Sequence, residues 1–131
     1  GKVARAAVAL LDFPSLDLVA WAVAREPTRF PYVPGLLSFR EIPVIAAALA
    51  QLPRKPDLVL VDGQGIAHPR RCGVASHLGL VTGLATIGVA KSLLVGEHRA
   101  PRQRRGAWTP LVHRDETIGA ALRTRAGVAP V

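Results

Sequence analysis

"DLVLVDGQGIAHPRRCGVASHLGLVTGLATIGVA", residues 57–90, decides how this chain folds. It opens on "DLVLV", a short unbroken apolar run with two valines, the pattern of a strand covered on both faces. "DGQGIAHPRRCG" is a glycine-rich loop, "VASHLGLVTG" reads as a helix, and "ATIGVA" as a second short strand. A strand–helix–strand unit of this length makes the two strands parallel, with a right-handed crossover. Ligands gather at the carboxyl ends of such strands. Asp62 and Lys91 each follow one of them, so the topology alone makes them neighbours.

Working outward toward the N-terminus, "KVARAAVALLD" and "LDLVAWAVARE" read as two antiparallel strands joined by a short turn at "FPS". Next comes "FPYVPGLLSFRE", residues 30–41. Each proline fixes its own φ and pushes the preceding residue, Phe30 or Val33, into an extended conformation. Tyr32 is therefore held stiffly, and a rigid exposed ring suits a wedge. "EIPVIAAALAQL", from Glu41 to Leu52, is a helix apolar nearly all round. Beyond residue 90, "RAPRQRRG" is a basic loop expected to be mobile. "WTPLV" and "TIGAALRTR" around "HRDE" form a final hairpin. The sum is an α/β chain: a mixed sheet with flanking helices, read as one domain over residues 1–131.

The chain is long enough to bury a core, and half of it is hydrophobic, which argues against global disorder. Its formal net charge is +8, favouring an anionic partner, with nucleic acid the commonest for a soluble domain. Cys72 is the only cysteine, so no internal disulfide forms, and a reducing, cytoplasmic setting is expected. No apolar run approaches membrane-spanning length, so no membrane partner is expected.

Several side chains can carry chemistry. Asp62 ends its strand ahead of Gly63 and Gly65; its carboxylate serves either a cation or the following turn. Ser38 and Glu41 have capping-box spacing. Pro43 disfavours that register and fits better as the first helical residue, leaving Glu41 outside and able to face a cleft. Two carboxylates without a cysteine–histidine cluster favour magnesium over zinc. Among the histidines, His77 reads as packed or surface, whereas His68, in the glycine loop, is a candidate for substrate contact. Lys91 can steer phosphate or be a plain surface lysine. Arg40, Arg70, Arg71 and the run from Arg99 to Arg105 are candidate phosphate contacts or simply solvated charges.

"PYVPGLLSFRE", "PDLVLVDGQGIAHPRRCGVASHLGL" and "TIGVAKS" closely resemble the signature segments of the endonuclease V family, in the family's order and spacing. The resemblance implies a ribonuclease H-like fold and a DNA repair nuclease. Such an enzyme hydrolyses a phosphodiester on the 3′ side of deoxyinosine with Mg2+, or Mn2+ as the alternative. It implies metal-ligand roles for Glu41 and Asp62, a place near the reacting phosphate for Lys91, and a wedge role for Tyr32. Gly35, Leu37, Gly63, Gly65, His68 and Gly73 would line the pocket for the flipped hypoxanthine. The expected partner is inosine-containing DNA, with RNA as the alternative, and the full-length enzyme is expected to be a monomer.

Family members carry a further metal-binding Asp on a strand ahead of Gly1, and a Gly-His-Arg segment beyond "GVAPV". The chain is therefore expected to be an internal fragment, inactive alone, with a gap or rearranged pairing between residues 2–25 and residues 57–62. A non-catalytic nucleic-acid-binding module and an inosine-specific ribonuclease are the competing functions.

Overall fold

The computed structural model describes residues 3–34 and 36–131. Gly35, expected in the base pocket, lies outside them. The chain divides into two compact units, Gly1–Val59 with His77–Ala85 and Leu60–Ser76 with Thr86–Val131.

In the first unit, β1 (Val3–Leu11) and β2 (Leu18–Pro27) form the expected antiparallel hairpin, with Ala6 opposite Ala24 and Ala9 opposite Trp21. Side chains alternate across a strand, so Ala4, Ala6 and Val8 share one face of β1. On that face they pack with Ala24 against Val44, Ala47 and Ala48 of α1 (Leu37–Ala50). The small side chains let the helix lie close to the hairpin, and Val44 and Ala48 are almost wholly buried. On the other face Trp21 remains 68% exposed.

Helix α1 begins four residues before the expected Glu41. Leu36 takes the N-cap position without a side-chain bond, and Pro43 lies inside the helix rather than opening it. Neither the capping box nor proline at the first helical position is what forms. The first turn is held by long-range contacts instead. The Phe39 ring stacks on Phe30 at 5.6 Å and meets the His77 ring at 4.9 Å, while Ser38 hydrogen-bonds His77 Nδ1 at 2.9 Å. These contacts offset the one helical hydrogen bond that Pro43 cannot donate.

β3 (Val59–Asp62) and β4 (Thr86–Val89) pair with each other, separated in sequence by α2 (Val74–Thr82). Val59 donates to the Ala85 carbonyl and Gly63 to that of Val89. Both partners advance by four residues, as in a parallel pair. β3 is not covered on both faces: Val61 is buried, but Leu58 and Leu60 are 48% and 66% exposed. Among the described residues the strands pair two by two, and neither strand of the first hairpin pairs with β3.

In the second unit, β5 (Trp108–His113) and β6 (Glu116–Leu122) form the expected final hairpin. Arg114 and Asp115 both have positive φ, 52° and 62°, the backbone of a two-residue turn whose twist matches its strands. Leu111, Ile118 and Ala121 form its buried side.

Candidate functional site

Parallel pairing brings the carboxyl ends of β3 and β4 to one edge. Asp62 is the last residue of β3, and Lys91 stands two residues beyond Val89. Lys91 Nζ donates to Asp62 Oδ2 at 2.9 Å, as their placement after the two strands predicts. The two side chains are 80% and 72% exposed, so water screens the pair and either partner can exchange it for another ion.

The glycine loop between β3 and α2 is tied to this edge. Gln64 Nε2 donates to the Ser92 carbonyl at 2.9 Å, Gly73 N to that of Gly65 at 2.8 Å, and Ala75 N to that of Gln64 at 3.0 Å. Two glycines are required by the protein's own backbone. A Cβ at Gly73 would fall on the Gln64 carbonyl, and one at Gly88 on the amide nitrogen of Gly65. Gly88 and Gln64 were not among the expected site residues. The signal available for Gln64 was its place between Gly63 and Gly65.

His68 is buried, and its Nδ1 accepts the Arg70 amide at 3.1 Å. Burial, with the Arg70 charge second, lowers its pKa below the usual 6.5, so the neutral ring is favoured near pH 7. An Nδ1 that accepts leaves the proton on Nε2.

Arg71, expected as a phosphate contact, is turned inward. At φ 58° it directs Nε to Glu116 Oε2 at 3.2 Å, Nη1 to the His68 carbonyl at 2.9 Å and Nη2 to His113 Nδ1 at 3.0 Å. The side chain clamps the glycine loop to the β5–β6 turn, and a phosphate would have to displace those acceptors. Arg70 is exposed.

A cavity of about 660 Å³ opens in the same unit, lined in part by Gln64, Gly65, Gly88, Lys91, Ser92 and Ile118. Of the expected pocket residues in this unit, Gly65 lines it, whereas Gly63, His68 and Gly73 do not. In the first unit Tyr32 is 65% exposed in an irregular segment whose start is fixed by the Phe30–Phe39 stack. Leu37 is the exposed first residue of α1, and Arg40 and Glu41 are half-buried on it.

Among the described residues, no three His, Cys, Asp or Glu side chains cluster as a metal centre. The donor chemistry that is present fits a hard divalent cation rather than zinc. Asp62 offers exposed carboxylate oxygens, which magnesium takes in ones or twos and completes with water and phosphate. A cation there would compete with Lys91 for the same carboxylate.

A family model described as endonuclease V matches residues 1–131. The chain is 59% identical over all 131 residues to an endonuclease V of Nostoc sp., and spans 59% of that protein's length. Its fold is similar to the crystal structure of endonuclease V from Streptomyces avermitilis, with TM-score 0.92 and 52% identity, covering 98% of this chain and 56% of that one. A Ciona intestinalis endonuclease V, solved with a 24-mer DNA containing an inosine followed by a ribo-adenosine, aligns at TM-score 0.80 and 27% identity. That alignment covers 98% of this chain and 62% of the other.

Proposed function

Because this chain belongs to the endonuclease V family, we propose that the protein is an endonuclease that recognises deaminated bases in nucleic acid. In this reading it hydrolyses a phosphodiester on the 3′ side of an inosine. The observation that carries the proposal is the family match across the whole chain, through both compact units. The inosine-containing DNA held by the Ciona relative supports the choice of substrate.

In this reading Tyr32, stiffened by Pro31 and Pro34, enters the stack where the damaged nucleotide leaves it. Extrusion costs a few kcal/mol, least for a poorly paired base, and a rigid wedge loses little entropy on insertion. Leu37, Gly63, Gly65, His68 and Gly73 are the proposed contacts of the extruded base, with Gly35 as the further candidate; of these, Gly65 also lines the cavity described above. Asp62 and Glu41 would hold a magnesium ion, with manganese as the alternative; when bound it supplies an activated water and neutralises phosphate charge. Lys91, released from Asp62, places its ammonium beside the phosphate that the water attacks. Arg40 and Arg70 hold the flanking backbone. The protein acts as a cytoplasmic monomer in this reading; no helix among the described residues is long and apolar enough to cross a membrane.

The test is strand nicking of matched duplexes with and without one inosine, in DNA and in RNA, with magnesium, with manganese and with chelator. Cleavage next to inosine that needs a divalent ion is expected of the full-length protein. Equal cleavage of inosine-free strands would overturn the assignment. Selective binding without cleavage would favour the non-catalytic module, and stronger cleavage of RNA the ribonuclease.

A further inference from the structure

Residues 99–105, "RAPRQRR", place four arginines in seven positions. Like charges this dense repel one another, so such a loop was expected to be mobile. The structure ties it down at five points. Thr109 Oγ1 donates to the Arg99 carbonyl and Gly127 N to Gln103 Oε1. Ala107 N donates to the Arg104 carbonyl at 3.1 Å, and Gly106 N and Arg123 N exchange bonds with the Arg123 and Ala107 carbonyls at 2.8 Å.

The fifth tie is the unusual one. Arg123 is only 5% exposed, and its guanidinium donates to the carbonyls of Pro101 at 2.8 Å, Arg102 at 3.4 Å and Val128 at 2.5 Å. Among the described residues no carboxylate pairs with it. A buried cation is thus used to fix the shape of a loop that is already strongly cationic, which is electrostatically unfavourable without a compensating partner. Pro101 is buried by the same clamp, while Arg99, Arg102, Arg104 and Arg105 all stay exposed. None of these four takes part in an ion pair among the described residues.

We propose that this clamped loop is a second, preformed contact surface for the phosphodiester backbone, separate from the Asp62–Lys91 edge. Guanidinium groups match phosphate oxygens in geometry as well as charge. Fixing them before binding removes an ordering cost that a flexible loop would carry. An anionic membrane is the poorer partner, because surface binding also needs an apolar anchor, and residues 99–105 carry no large apolar side chain. The proposal rests on the nucleic-acid reading above and adds to it where the strand runs outside the cleavage site.

The test uses R99Q/R102Q/R104Q/R105Q, which leaves Arg123 in place, with R99Q/R105Q as a milder variant. Binding to inosine-containing and inosine-free oligonucleotides is measured across a salt series, with melting temperature as the fold control. The slope of log affinity against log salt is expected to fall by about 0.7–0.9 for each phosphate that the variant no longer neutralises. Both oligonucleotides should weaken equally, leaving the inosine preference intact. An unchanged slope in a folded variant overturns the proposal, as does loss of binding to anionic vesicles with oligonucleotide binding unchanged. Absence of inosine preference in the parent protein would instead sink the functional assignment, while a fallen slope would still support the loop.

Discussion

Lys91 holds Asp62 across 2.9 Å at the carboxyl ends of two parallel strands, with both groups largely in water. An exposed pair of this kind contributes little to stability; in the proposed function it keeps a cation beside the carboxylate until another ligand takes it. In the full-length protein Lys91→Met should therefore leave the melting temperature nearly unchanged while lowering nicking on the order of 10²–10³-fold. Asp62→Asn should abolish nicking but keep oligonucleotide binding. A large loss of stability in Lys91→Met would assign the lysine to the fold instead.

Glu41→Gln should also abolish nicking. Ser38 is not the N-cap of α1 but bonds His77, so the substitution breaks no capping box. The variant should escape the loss of about 1 kcal/mol typical of a removed cap. Thermal melts beside nicking assays check both halves.

Tyr32→Ala should weaken recognition of inosine in duplexes more than in single strands. The ring is 65% exposed and free to insert, and base–aromatic stacking is worth about 1–3 kcal/mol. Equal weakening on both substrates would remove the wedge role.

Gly88→Ala should destabilise the protein by about 1–3 kcal/mol, because its methyl would meet the Gly65 backbone rather than a movable side chain. Chemical denaturation measures this. A neutral result would mean that the β4–glycine loop approach is looser than it stands here.

His68 gives a pH dependence. Burial lowers its pKa below 6.5, so the unfolded chain binds the proton more tightly than the folded one. Its contribution to stability is fully present above about 6.5 and lost as the pH falls toward the lowered folded value. His68→Gln should flatten the decline in melting temperature below pH 6.5. An unchanged decline would place its origin elsewhere.

Local pattern carried much of this protein. Strand-like runs around short turns marked both hairpins, and the strand–loop–helix–strand order put Asp62 beside Lys91 before any contact was known. These features depend on neighbours a few residues away, so the sequence displays them directly.

Tertiary partners decided the rest. Pro43 argued for a helix starting near residue 41, yet Phe30 and His77, distant in sequence, hold Ser38 and Phe39 in a turn that begins at Leu37. Arg71 and Arg123 look like the other arginines of a basic chain. One is turned onto Glu116 and His113, and the other buried among carbonyls, by segments up to 45 residues away. Leu60 belongs to an apolar run that reads as doubly covered, yet it stands 66% exposed. A residue's type states what bonds it can make; only the folded chain, by bringing distant acceptors and surfaces within reach, settles which of them it makes.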